Sequence, residues 1–178
     1  MFFVDAAHFV LGSFLGYLWC LTRVFVRASS GRQRYNVLGA INALTRELVR
    51  VSNDSYITAT TVCELLVKLK ALNLATPITV VLDNARYQRC HLVQDMARVL
   101  NLELLFLPTY SPNLNLIERL WKFVKKTALN SRPHASFAEF RGTIDQCLDE
   151  LPTKHRSQMA TLMTPSFQIF QNVSKLAA

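Results

Sequence analysis

The chain has 178 residues, 51% of them hydrophobic and 18% charged, which excludes a disordered chain and suits one domain with a core of its own. Its net charge of +8 points to an anionic partner, nucleic acid or anionic lipid, although a basic balance also serves solubility. Cys20, Cys63, Cys90 and Cys147 make no C-x-x-C pair, and His8, His91, His134 and His155 fall at no zinc spacing, so the cysteines read as reduced thiols of an intracellular protein.

Residues 1–7 (MFFVDAA) read as a buried strand, β-rich with a single charge. Residues 9–21 are apolar or small and fit either helix or strand. They also raise the question of a signal peptide or anchor. No Lys or Arg precedes them, Asp5 lies just upstream, and the 13-residue run is shorter than a spanning helix of roughly 18–20 residues needs, so no membrane association is expected. Arg23, Arg27, Arg32 and Arg34 surround a Ser-Ser-Gly turn and read as a basic loop or hairpin. Residues 35–43 and 47–52 read as two strands joined by a short turn.

Residues 58–72 carry Val62, Leu65, Leu66 and Leu69 at helical spacing, with Glu64 and Lys68 opposite. Residues 78–82 (ITVVL) are continuously apolar, the mark of a strand covered on both faces. Residues 90–100 read as a helix with Leu92, Val93, Met96, Ala97 and Leu100 inward, and residues 102–107 (LELLFL) as a further buried strand. A turn over 108–113 leads to a helix over 116–129, with Ile117, Leu120, Trp121, Val124 and Ala128 on one face. Helices over 137–151 and 154–163 close the chain. An early run of strands followed by strand–helix alternation predicts an α/β protein. A mixed five-stranded sheet with helices on both faces matches a ribonuclease H-like fold, though other α/β folds share this order.

Three carboxylates stand out by placement. Asp5 lies in the first strand, Asp83 ends the 78–82 strand, where parallel sheets present functional groups, and Glu118 lies in the first turn of a helix. Converging acids repel by about 4 kcal/mol per pair at 4 Å in an effective dielectric near 20, and a divalent cation reverses that sign. Phosphodiester chemistry uses such acids to hold two cations about 3.5–4 Å apart. Each acid has a plainer explanation too. Asp83-Asn84 makes a strand-ending Asx turn, Asn115-x-x-Glu118 makes a capping box, and Asp5 sits near the start of the chain.

The joint pattern is more specific. DNARYQRCH follows a buried strand, 34 residues separate Asp83 from Glu118, and the second block reads LFLPTYSPNLNLIERLWKFVKK. Together with FFVDAAHF, these segments resemble the mariner superfamily of DDE transposases, in particular its bacterial insertion-sequence branch (the IS-six-thirty type). The resemblance implies that Asp5, Asp83 and Glu118 are the catalytic acids and hold two Mg²⁺ or Mn²⁺ ions, with Trp121 matching the aromatic that follows the last acid. Asn84, His8 and Asn115 are expected in a supporting layer beside them. Leu116 stands where the family often carries proline.

The resemblance implies metal-dependent cleavage at transposon ends and strand transfer into target DNA, by a homodimer that pairs two ends in the bacterial cytoplasm, at the nucleoid. Residues 1–178 are read as a single catalytic domain, with C-terminal helices from about 136 and no N-terminal helix-turn-helix region; a separate polypeptide would supply that module. The rival expectation is a truncated, non-catalytic regulator or inactive remnant of a transposase. Lys122 and Lys125 lie one and two turns beyond Glu118 on one helical face, and with Lys126, Arg23, Arg27, Arg32 and Arg34 they are the candidates for contact with DNA phosphates. For Lys122 the alternative is an ordinary i,i+4 ion pair with Glu118.

Overall fold

The computed structural model describes residues 1–12, 21, 22, 33–108, 111–130, 132–164 and 166. Five strands form one sheet: β1 (Phe2–Leu11), β2 (Gln33–Asn42), β3 (Leu48–Asn53), β4 (Thr79–Leu82) and β5 (Glu103–Phe106), in the order β3-β2-β1-β4-β5. β1, β2 and β3 pair antiparallel, and the short turn over residues 43–47 joins β2 to β3. β4 pairs parallel to β1 and β5 pairs parallel to β4, with α1 (Ala59–Ala71) leading from β3 into β4 and α2 (His91–Val99) from β4 into β5. The mixed five-stranded sheet is the one the sequence predicts.

Alternation along β1 divides the interior into two halves. Phe2 and Val4 face Leu65, Leu66 and Leu69 of α1 and Val93 of α2. Phe3, Ala7, Phe9 and Leu11 face the other layer. That layer comprises α3 (Ile117–Val124), the π-helical turn Lys125–Leu129, α4 (Phe137–Asp149) and α5 (Arg156–Leu162). Helices therefore cover both faces. α1 and α4 start where the side chains of Thr58 and Ser136 engage the first-turn N–H groups, and α1 and α2 each give way to an asparagine with positive φ, Asn73 and Asn101.

Several expectations are corrected. β1 continues to Leu11, taking up Phe9, Val10 and Leu11 from the ambiguous apolar run; residues 13–20 lie outside the described residues. Of the two expectations for the basic segment, loop or hairpin, Arg34 excludes the loop at its own position by belonging to β2, antiparallel to β1, while Arg23, Arg27 and Arg32 lie outside the described residues. Leu92, expected inward on α2, is 52% exposed. β5 is an edge strand with Leu105 48% exposed, so its apolar sequence is buried only in part. The helix expected over 116–129 is regular only to Val124 and widens into the π turn beyond it. Cys63, Cys90 and Cys147 are free thiols, and among the described residues no helix is long and apolar enough to cross a membrane.

Candidate active site

Asp5 lies midway along β1, on the face covered by α3. The parallel register pairs Phe2 with Val80, Phe3 with Val81 and Val4 with Leu82, so one further step sets Asp5 level with Asp83 at the end of β4. Glu118 comes from the first turn of α3, whose buried residues Ile117, Leu120, Trp121 and Val124 hold the helix against the β1 face. Three separate elements thus bring the three acids to the middle of the sheet.

The electrostatics register that convergence. Burial pushes the Asp5 carboxyl up from 3.8 to about 7, and the negative charges of Glu118 and Asp83 push the same way. The Ala6 backbone and the Trp121 indole N–H oppose them by stabilising the carboxylate; the indole donates to Asp5 Oδ2 at 3.1 Å. Asp83 Oδ1 and the neighbouring Asn84 Oδ1 are buried without a protein hydrogen-bond partner. Among the described residues no three His, Cys, Asp or Glu side chains are grouped tightly enough to form a ready-made metal-binding cluster. The acids share one electrostatic field without having been drawn to a single point.

The expected supporting residues divide. Asn115 does not cap α3 with its side chain; its Nδ2 reaches across to donate to the Val4 carbonyl at 3.0 Å, tying the start of α3 to the residue before Asp5. Asn84 follows Asp83 directly and is half-buried. His8 does not join them. Strand alternation puts it on the opposite face of the sheet from Asp5, where its Nδ1 meets Asn36 Oδ1 at 2.7 Å.

Lys122, Lys125 and Lys126 are exposed on α3 and the π turn. Among the described residues Lys122 makes no ion pair with Glu118, unlike Lys68 with Glu64 and Lys154 with Glu150 at the same spacing. Arg34 pairs with Val10, five residues along β1 from Asp5, which is roughly 17 Å at strand rise, so it stands apart from the acids. Sequence reasoning missed Tyr87. The chain turns directly after Asp83, with Gln88 N donating to Ala85 O at 3.0 Å. Tyr87 on this turn has its phenol pushed up to about 12 by burial and by the charges of Asp83 and Asp5. The only signal was its position four residues after an acid.

A mixed five-stranded sheet of this order with helices on both faces is the ribonuclease H-like architecture of transposase and integrase catalytic cores. The sequence profile of the DDE superfamily endonucleases matches residues 1–141, and the chain belongs to that family. Its fold is similar to that of the Mos1 strand transfer complex, with a TM-score of 0.62 and 16% identity over 90% of this chain and 54% of the other. The isolated catalytic domain of Mos1 mariner transposase aligns with a TM-score of 0.56 and 14% identity, covering 94% and 83% of the two chains. The HTLV-2 integrase catalytic core, in complex with magnesium, aligns with a TM-score of 0.54 and 12% identity over 84% and 83%. The chain spans about half the length of the Mos1 chain in the strand transfer complex. No curated protein matches the chain by sequence.

Proposed function

We propose that this chain is the catalytic domain of a mariner-superfamily transposase of the bacterial insertion-sequence branch, with Asp5, Asp83 and Glu118 as its catalytic acids. The observation that carries the reading is the Asp5 carboxyl, buried at mid-sheet and repelled by both Glu118 and Asp83. A divalent cation suits this donor set: it would offset the repulsion and give the buried Asp83 Oδ1 a partner. Hard carboxylate oxygens favour Mg²⁺ or Mn²⁺, and a pair of ions is the arrangement proposed. When bound, the cations supply the Lewis acidity that activates the attacking oxygen and stabilises the departing one.

The reaction is hydrolysis of a phosphodiester at a transposon end, followed by transfer of the freed 3′ hydroxyl to a phosphate of target DNA. In the first step water adds to phosphorus and the P–O3′ bond breaks; the strand end leaves as the 3′ hydroxyl. In the second, that hydroxyl forms the new P–O bond and a target hydroxyl leaves. Asp5, Asp83 and Glu118 orient the centre, no side chain becomes covalently attached, and Tyr87, with its phenol kept protonated by its high pKa, remains a hydrogen-bond donor at neutral pH. Lys122, Lys125 and Lys126 continue outward from Glu118 and would take DNA phosphates, as would Arg23, Arg27, Arg32 and Arg34. The enzyme would act in the bacterial cytoplasm as a homodimer that pairs two ends.

The test is nicking of a supercoiled plasmid carrying terminal repeats, with Mn²⁺ and with chelator. Metal-dependent nicking that disappears in Asp83→Asn and Glu118→Gln supports the reading. No nicking by a folded, Mn²⁺-binding chain overturns activity of the isolated chain and favours the non-catalytic regulator instead.

A further inference from the structure

Asp5 is held from behind by a pair of residues on neighbouring elements. Its cross-strand partner in β2 is Gly39. A Cβ built on Gly39 would lie 2.8 Å from Trp121 Cη2, closer than real Cβ atoms approach, and 3.0 Å from both Trp121 Cζ2 and Ile117 Cδ1, tighter than most. The six-membered ring of the indole therefore rests on the bare backbone of Gly39. On the same edge of the indole, next to Cζ2, Nε1 points at the neighbouring strand and donates to Asp5 Oδ2 at 3.1 Å. Trp121 is only 3% exposed, and Phe9, two pairs further along the same face of β1, meets it edge-on at 6.4 Å between ring centroids. Trp121 also lies one turn from Glu118 on α3, so the helix that delivers one acid orients another.

Ordinary core packing explains a buried tryptophan but neither of these details. A core aromatic has no need of a glycine opposite the acid, nor of a carboxylate for its N–H when a backbone carbonyl would serve. We infer that Trp121 is a positioning residue of the acidic site, fixing the Asp5 carboxylate through Oδ2, and that Gly39 is the clearance that makes this contact possible. With Oδ2 engaged, Asp5 presents Oδ1 to a cation in a set orientation, so the residue's rotamer is fixed before metal or DNA arrives. The inference rests on the proposed metal-dependent reading of the site.

Two substitutions separate positioning from packing. Trp121→Phe keeps an aromatic ring against Phe9 and loses the N–H; Gly39→Ala leaves the N–H and lifts the indole from its seat. Calorimetry with Mn²⁺ alone on the folded chain should show affinity weakened about tenfold or more in each, the usual loss when a supporting partner of a metal ligand is removed. A phenyl ring lacks the indole atoms that Cβ would strike, so Gly39→Ala should cost no further affinity in the Trp121→Phe background. Affinity unchanged in both folded single variants overturns the inference, and so does a Gly39→Ala loss of equal size with and without the indole. Should Gly39→Ala fail to fold, Trp121→Phe and an NMR measurement carry the test. In the metal-free protein the Trp121 indole N–H resonance should move on Asp5→Asn and stay on Glu118→Gln; an indole indifferent to Asp5→Asn overturns the inference. An indole that responds to Asp5→Asn in a wild type that binds no Mn²⁺ supports the contact and overturns the metal-dependent reading instead.

Discussion

Replacing Asp5 by Asn should make the metal-free protein more stable at pH 8, although it removes a proposed catalytic acid. A carboxyl whose pKa rises from 3.8 to about 7 on folding is penalised when ionised: at about 1.36 kcal/mol per pH unit, the folded state carries roughly 4 kcal/mol of cost above pH 7. The folded state binds the proton more tightly than the unfolded one. Stability therefore falls as pH rises from about 4 to about 7, and is level above that. Asparagine removes the charge and keeps an oxygen for the Trp121 N–H, but its amide NH₂ needs a partner, which returns about 1–2 kcal/mol of the gain. A net gain of about 2–3 kcal/mol remains at pH 8, roughly 5–10 °C in melting temperature for a chain of this size.

The assay is thermal or urea unfolding of wild type and Asp5→Asn in chelator, from pH 5 to pH 8. The two curves should diverge by about 3 kcal/mol over that interval, because only the wild type has a titrating group at this position. Mn²⁺ should then reverse the order by stabilising the wild type more, by about 4.1 kcal/mol when free metal is about a thousandfold above Kd. Parallel stability curves for the two proteins across pH 5–8 would show that Asp5 ionises without penalty, and the account of a crowded, buried acid would be wrong.

Asp83→Asn or Glu118→Gln should leave the melting profile intact and lower plasmid nicking at least about 100-fold, since several kcal/mol of charge stabilisation depend on each carboxylate. Lys122→Ala combined with Lys125→Ala should weaken binding to any DNA of equal length alike and flatten the dependence of log affinity on log salt by about 0.9 per lost phosphate contact, as read by fluorescence anisotropy at two salt concentrations. Tyr35→Phe should cost about 1–2 kcal/mol in urea unfolding. The fully buried ring loses its 2.6 Å hydrogen bond to Asp145, which also takes an ion pair from Arg50, so α4 is less firmly tied to β2 and β3. Wild type should bind terminal-repeat and scrambled DNA within about tenfold of each other, near 1.4 kcal/mol, because phosphate contacts carry no sequence information.

The parts of the fold legible in the sequence were those where one period dominates. ITVVL, covered on both faces, and the 58–72 helix with its Glu64–Lys68 edge fall within a residue or two of the observed elements. Misreadings came where tertiary context decides. LELLFL carries the same apolar run as a central strand, yet β5 lies at the sheet edge, because exposure depends on strand order rather than composition. The sequence left Arg34 open between a basic loop and a hairpin, and its pairing with Val10, which extends β2 back to Gln33, removes the loop. Arg119, three of whose hydrogen bonds hold the carbonyls of Leu162, Thr164 and Ser166 and so fasten the chain beyond α5 to α3, gave no sign of that role.

The three acids of the candidate site were legible in the sequence, and what holds them was not. Asp5, Asp83 and Glu118 show themselves by chemistry and by their place at strand and helix positions. Gly39 and Trp121 have meaning only through the register that sets residue 5 opposite residue 39 and through the packing of α3 on β1, and neither is a sequence period. His8 illustrates the same limit from the other side. It sits three residues from Asp5 in a segment that reads as part of the site, yet an odd offset in a strand sends its ring to the far face, where Asn36 takes it. Proximity in sequence misleads by parity. The supporting residues of a sheet-borne acid are therefore to be sought at even offsets on its own strand, as with Phe9, at the cross-strand partner, as with Gly39, and on the helix covering that face, as with Trp121.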